Sequence, residues 1–218
     1  MVLTLLVAVW FFGCMASYLY ATRAGKFVVW SQILDELHLT GTEQVLDVGC
    51  GRGAVLLSAA ARLDHGKAHG VDLWRGQDQN GSASEITARN AEAEGVADRV
   101  ELHTADMSDL PFDDECFDVV LSSVAMHTIK QKSGRQQAIR EALRVVRPGG
   151  QLAIADFRHV KDYAEQLRTA GATNVHTRGL GWRFWYGGPW AATRLIMATK
   201  PASPGQPPGG GVALRDLF

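Results

Sequence analysis

The sequence predicts a doubly wound α/β domain on a mostly parallel sheet, preceded by an apolar N-terminal helix. Three observations predict it. Short β-branched runs alternate with helical periodicity between residues 25 and 200, a glycine-rich turn closes the first strong strand, and residues 2–20 carry no charge. Parallel neighbours need a crossover connection, so strand–helix alternation implies one sheet covered by helices on both faces.

The first strand, at 45–48, leads into a helix over 54–63, where Val55, Leu56, Ala59, Ala60 and Leu63 recur at helical spacing. Further strands are predicted at 68–71, 99–103 and 117–122. Ser82 and Glu85 have capping-box spacing and open a helix that runs to Glu94 and is ended by Gly95. In the 133–146 segment Ala138, Ile139, Ala142, Leu143 and Val146 share one helical face. Arg147-Pro148-Gly149-Gly150 then breaks the helix and turns the chain into a strand at 151–155. A helix over 160–170 ends at Gly171, and strands near 173–177 and 192–199 close the domain.

The whole chain of 218 residues has a formal net charge of -1, which gives no sign of a nucleic-acid surface. Cys14, Cys50 and Cys116 are odd in number and lack any C-x-x-C pairing, which argues against a disulfide framework and against a structural zinc site; no metal is expected. The chain divides into an apolar helix (1–24), a main domain (25–200) and a Pro/Gly-rich tail (201–218) expected to be disordered. Residues 2–20 are long enough as a helix to match a bilayer's hydrocarbon core. Arg23 and Lys26 follow this run and no basic side chain precedes it, the reverse of a cleavable signal peptide. Positive-inside logic then gives a single-pass, membrane-associated protein with a cytoplasmic domain; the other reading is a leading helix that packs on the domain or on a partner.

Val45-Leu46-Asp47-Val48-Gly49-Cys50-Gly51-Arg52-Gly53 combines an apolar strand, an acid and three alternate glycines. Glycine suits a backbone that must turn sharply and approach a ligand closely. Asp72 ends the second strand about twenty residues further on, the spacing at which an acid accepts hydrogen bonds from a ribose diol. No Gly-Lys-Ser/Thr follows, so a P-loop is excluded.

This segment resembles motif I of the class I, Rossmann-like S-adenosylmethionine-dependent methyltransferases, with glycines in the order Gly-x-Gly-x-Gly. Ala105-Asp106-Met107, Leu110-Pro111-Phe112 with Phe117-Asp118-Val119-Val120, and Leu143-Arg144-Val145-Val146-Arg147-Pro148-Gly149-Gly150 match later family segments in order. The resemblance implies a seven-stranded sheet with an antiparallel last strand, and S-adenosylmethionine as cofactor. It implies that Gly49, Gly51 and Gly53 line the methionine side, with Asp47 supporting the loop and Cys50 a small neighbour within it. Asp72 would hold the ribose, with Leu73 beside it, Asp106 the adenine amino group, and Met107 would pack near the adenine.

Ser122-Ser123-Val124-Ala125-Met126-His127 leaves the fourth strand at the catalytic face, so Ser122 is a cofactor-side candidate and His127 a candidate base; a helix-start or core histidine is the other reading. The Asn/Asp-Pro-Pro-Tyr/Phe signature of amino-methylating enzymes is absent there. Two segments are candidates for acceptor binding. One is the polar loop 73–81, through Trp74 and Asp78, which reads equally as an exposed connection. The other is Gly181-Trp182-Arg183-Phe184-Trp185-Tyr186-Gly187-Gly188-Pro189-Trp190, through Trp182, Trp185 and Tyr186. Its five aromatics suit an apolar pocket, a lid or an interfacial belt, or simple packing of the hairpin. The expected acceptor is a small or lipophilic molecule; protein or RNA methylation and a non-catalytic, cofactor-binding scaffold are the alternatives.

Overall fold

The computed structural model describes residues 2–74, 77–78 and 81–202, with the side chains of 77, 78 and 81–83 outside that description. Most of the Pro/Gly-rich tail, and the middle of the polar loop after Trp74, therefore lie outside the described residues.

The chain begins with helix α1 (Val2–Tyr20), passes through a π-helical turn (Ala21–Gly25) and continues into α2 (Lys26–Glu36). The helix thus runs on through the expected boundary at residue 24. None of the described residues of α1 is buried, whereas α2 buries Val29, Trp30, Ile33 and Leu34. Those four positions, with Leu37, recur at helical spacing, the signal by which α2 could have been read from sequence.

The main domain then follows as β1 (Gln44–Val48), α3 (Ala54–Ala60), β2 (Lys67–Asp72), α4 (Ala83–Ala93), β3 (Val100–Thr104), β4 (Phe117–Ser123), α5 (Lys132–Val145), β5 (Val146–Asp156), α6 (Val160–Thr169), β6 (Thr173–Gly179) and β7 (Arg194–Thr199). A two-residue ribbon pairs Asp78 with Gly81 before α4. The described strands form a seven-stranded sheet in the order β3-β2-β1-β4-β5-β7-β6. β7 runs antiparallel to β5 and to β6, and the other pairings are parallel. The predicted doubly wound sheet and its antiparallel last strand are both present.

Adjacent strand residues point to opposite faces, and both faces are covered. Val45 joins Trp30, Ile33, Leu56 and Leu57 in the layer under α2 and α3. Its neighbour Leu46 joins Ile139, Leu143, Ile154 and Leu167 under α5 and α6. Burial on both sides explains the consecutive apolar pairs and triples of the central strands, Val45-Leu46 and Val119-Val120-Leu121. β5 differs from expectation at its start. It begins at Val146, directly after α5, and Arg147-Pro148-Gly149-Gly150 forms a bulge in the strand: Phe117 pairs with Val146, but Val119 pairs with Gln151. A bulge absorbs the extra residues without ending the ladder.

α2 is what ties the apolar helix to the sheet. Trp30 is 1 % exposed, and its indole Nε1 donates to Ser123 Oγ at the end of β4 over 2.9 Å. At the other end Arg178 of edge strand β6 holds Glu36 at 2.6 Å. Replacing Trp30 with Ala should cost about 3–5 kcal/mol of unfolding free energy, read by urea titration with circular dichroism. A loss below about 1 kcal/mol would mean that α2 is not part of the cooperative core.

Candidate active site

The glycine turn is held from both sides. The amides of Gly49 and Cys50 both donate to the carbonyl of Val71, at 2.8 and 3.1 Å, which ties β1's exit to β2. From α4, Thr87 Oγ1 donates to the Gly51 carbonyl at 2.8 Å and Asn90 Nδ2 to the Arg52 carbonyl at 3.0 Å. Gly49 has φ +78°, and a Cβ placed there would overlap the methyl of Ala125. The backbone therefore lies where no side chain fits.

Asp72 stands at the end of β2. Its Oδ2 accepts from the Gly51 amide and its Oδ1 from the Trp74 amide, both at 3.0 Å. The two bonds fix the carboxylate against the turn, and each oxygen retains a lone pair for a further donor. Gly49, Val71, Asp72, Leu73, Ala105, Met107, Val124, Ala125 and Thr128 enclose a cleft of about 390 Å³. Asp106 stands one residue before Met107, and its Oδ1 accepts from the amide and hydroxyl of Ser108 at 2.9 and 2.7 Å. Val124, at φ +54°, is a β-branched residue in the left-handed region, a strained conformation.

The residues present fit S-adenosylmethionine. A Cβ on Gly51 would meet nothing within 4 Å, so the turn borders open space beside an acid suited to a ribose diol. Leu73, Ala105 and Met107 supply the apolar walls that an adenine ring needs.

Asp47 lies beneath the turn, 1 % exposed. Burial pushes its carboxyl up to about 7; the Leu56 amide at the start of α3 pulls it down, and the nearby Asp72 pushes it up. Its Oδ1 has no hydrogen-bond partner among the described residues. Burial also raises the Cys50 thiol well above its ordinary range, so Cys50 is an inert core neighbour and no nucleophile.

Beside the cleft, His127 follows β4 and packs against the end of β5. Its Nδ1 lies 3.0 Å from Oδ1 and 3.3 Å from Oδ2 of Asp156, and its own amide donates to Oδ2 at 3.2 Å. Asp156 is 1 % exposed, and its Oδ1 also accepts from the Phe157 amide at 2.7 Å. The imidazole packs on the Phe157 ring at 4.6 Å. Sequence reasoning missed Asp156; its place as the last residue of β5, at the carboxyl edge of the sheet, was the available signal.

β6 runs parallel to β5, because both are antiparallel to β7. The connection from Leu180 to Thr193 therefore emerges on the cofactor side. It packs against the N-terminal helix: Trp182 stacks on Tyr20 at 5.2 Å, Tyr186 meets Tyr18 at 6.2 Å, and Trp190 meets Trp10 at 5.5 Å. Ser17 Oγ donates to the Trp185 carbonyl at 3.2 Å. A Cβ on Gly25 would collide with the carbonyl of Arg183, so the helix and the loop meet backbone to backbone. An apolar groove of about 400 Å³ runs between α1 and residues 185–190.

Of the residues singled out from sequence, Gly49, Asp72, Leu73 and Met107 meet in the cleft. Gly51 bonds to Asp72, and Gly53, at φ +89°, is the N-cap of α3. Cys50 faces the core, and the Ser122 hydroxyl donates to the Val48 carbonyl at 2.8 Å, joining β4 to β1. Trp74 packs at the edge of the same core as Cys50. Trp182 and Trp185 face the helix, and Tyr186 links it to the site. The Asp78 side chain lies outside the described residues. His69, Glu101 and His103 bring three donor atoms within 4.8 Å. Two contacts, His103 Nε2 to His69 Nδ1 and His69 Nε2 to Gln44 Oε1, both at 3.2 Å, engage both ring nitrogens of His69 in hydrogen bonds.

Comparison with known proteins agrees with this geometry. A family model described as a methyltransferase domain matches residues 46–154, half of the chain of 218 residues. Methyltransferase GfsG of Streptomyces halstedii is 35 % identical over 126 residues, covering 58 % of this chain and 42 % of that protein. The ubiquinone/menaquinone biosynthesis C-methyltransferase UbiE of Roseobacter denitrificans is 31 % identical over 139 residues, covering 63 % and 52 %. The chain thus spans about half the length of these curated relatives. A SAM-dependent methyltransferase from Aquifex aeolicus shares the fold, with a TM-score of 0.60 at 20 % identity over 78 % of this chain and 88 % of that one.

Two outcomes follow from the turn. Gly49→Ala should weaken S-adenosylmethionine binding about 100-fold or more in calorimetry, since the new methyl overlaps Ala125 and its φ costs about 1–3 kcal/mol; binding at the parent affinity would show that the turn moves freely. Asp47 gives a pH dependence of the opposite sign to a salt-bridged acid. Its folded value of about 7 lies above the ordinary 3.8, so the native state holds an extra proton between the two. Its contribution is greatest below about pH 4 and falls as the pH rises toward 7. In urea titrations across that window, Asp47→Asn should flatten the decline.

Proposed function

The chain belongs to the S-adenosylmethionine-dependent methyltransferases, and from that premise we propose that it methylates a small, lipophilic acceptor while α1 holds it to a membrane, with the catalytic domain on the cytoplasmic side. One observation carries the reading. Val2–Glu36 is a helix long and apolar enough to cross a membrane, and its α1 half packs on the aromatic loop at the cofactor end of the sheet. An acceptor that partitions into lipid would arrive at that same edge. The relative named for C-methylation in ubiquinone/menaquinone biosynthesis supports a small acceptor.

S-adenosylmethionine, when bound, supplies an electrophilic methyl group on a sulfonium that leaves as a neutral thioether. Gly49, Gly51 and Asp72 would hold its polar parts; Leu73, Ala105 and Met107 would hold its adenine. The protein's own task is placement, because an oriented nucleophile needs little further help. His127 is the candidate base. Asp156 engages Nδ1, which fixes the tautomer and leaves Nε2 as the basic atom. For an O–H, N–H or S–H acceptor, Nε2 takes the proton that the nucleophile sheds. Asp156 is the positioning residue, and Phe157 fixes the ring from its side.

The direct test supplies membranes and methyl-tritiated S-adenosylmethionine to the full-length protein and counts tritium in a chloroform extract. Label there supports a lipophilic acceptor; label confined to water-soluble product overturns it. Asp156→Asn and His127→Gln should each lower kcat about 10²–10⁴-fold for a protonated acceptor. Cofactor affinity by calorimetry should stay within about twofold. Deleting residues 1–20 should release the protein from sedimented vesicles and leave cofactor binding intact; sedimentation of the truncated protein would overturn the anchor.

A further inference from the structure

The groove between α1 and the 185–190 loop is separate from the cofactor cleft, and no residue is shared between the two linings. Its walls are Trp10, Gly13 and Ser17 on one side and Trp185, Pro189 and Trp190 on the other, with Cys14, Gly187 and Gly188 between them. None of these carries a formal charge. The Ser17 hydroxyl is already bonded to the Trp185 carbonyl, so the groove offers little to a polar ligand. Its volume, about 400 Å³, falls in the range of small-molecule sites.

Two further features decide what fits it. One wall is α1 itself, whose described residues are unburied and whose far face exposes Leu5 and Phe12, at 65 % and 76 %. An occupant therefore enters sideways, from whatever medium covers α1. The other feature is a row of ring contacts that starts beside the groove, at the chain neighbours of Ser17 and Trp185, and ends at His127. Tyr18 meets Tyr186 at 6.2 Å, Tyr186 meets Phe157 at 6.0 Å, and Phe157 meets His127 at 4.6 Å. Ala125 and Thr128, on either side of Met126 and His127, wall the cofactor cleft.

We propose that this groove binds the aliphatic or prenyl tail of a membrane-resident acceptor, and that the aromatic row from Tyr18 to Phe157 leads its head group to His127. The assignment rests on the proposed function and names its substrate class: a single-tailed amphiphile whose reactive group lies at the polar end. Catalysis on such a molecule needs no extraction from the bilayer, because tail site, anchor and cleft are joined by one helix and one loop.

Gly13 gives a clean test. A Cβ there meets nothing within 4 Å, and the position is helical and lines the groove, so Gly13→Phe places a ring at the groove wall where its first side-chain atom has open space. The full-length protein is placed in dimyristoylphosphatidylcholine nanodiscs that contain a palmitoyl phosphatidylcholine with a chain diazirine. It is then irradiated and its labelled peptides are mapped by mass spectrometry. The expected result is label on both walls, Trp10 to Ser17 and residues 185–190. In Gly13→Phe, label on 185–190 should fall about tenfold or more, with label at Leu5 and Phe12 unchanged. Equal labelling of the loop in both proteins overturns the tail site. Tritium in the organic extract without loop labelling overturns the groove and leaves the lipophilic acceptor standing. A labelled groove that Phe blocks, with no tritium in the extract, supports the tail site and overturns that acceptor.

Discussion

The contact of Gly49 with Ala125 sets the distance between the turns that leave β1 and β4. With no Cβ at Gly49 the two backbones approach until the Ala125 methyl fills the gap. The amides of Gly49 and Cys50 then reach the Val71 carbonyl, and Gly51 reaches Asp72. Three strand ends are thereby fastened into one rim. The cleft is what remains beyond it, lined by the residues that follow each strand. Strain at Val124 belongs to the same rim and is held there by the bond from its amide to the Ala155 carbonyl at 2.7 Å.

A second constraint joins this rim to the apolar helix. α1, the π-helical turn and α2 form one helical path, and α2 is locked to the sheet through Trp30 and Ser123. The close crossing of Gly25 and Arg183 then fixes where the aromatic loop can lie. Tyr186 ends between Tyr18 on the helix and Phe157 beside His127. Trp182 and Trp190 pack on α1 for the same reason: their rings meet Tyr20 and Trp10 on apolar helix surface that the sheet does not reach. This loop, a candidate pocket or lid by its aromatic content, is also the joint between the apolar helix and the domain.

Much of this was legible in the residues. Alternating strands and helices, the glycine turn, Asp72 and the pattern around Met107 are local features, and local features survive in sequence. The helix α2 was legible but unread, since Trp30, Ile33 and Leu34 carry its period. Asp156 was harder, because its meaning depends on His127, which is distant in the chain and adjacent only once β4 and β5 pair. Ser122 and Cys50 show the converse. Both lie in the right segments, but strand alternation and the turn's path send the Ser122 hydroxyl to the Val48 carbonyl and the Cys50 thiol into the core.

The sequence by itself determined the fold class, the glycine turn that closes the first strand, and the acid that ends the second, because each is written in spacing along a few contiguous residues. It also marked the apolar helix and the aromatic loop, but only as separate segments. The tertiary structure alone decided that these two pack together, that Asp156 orients His127, and that an uncharged groove opens between helix and loop. Those relations arise from contacts between residues far apart in the chain, which periodicity and local spacing do not encode.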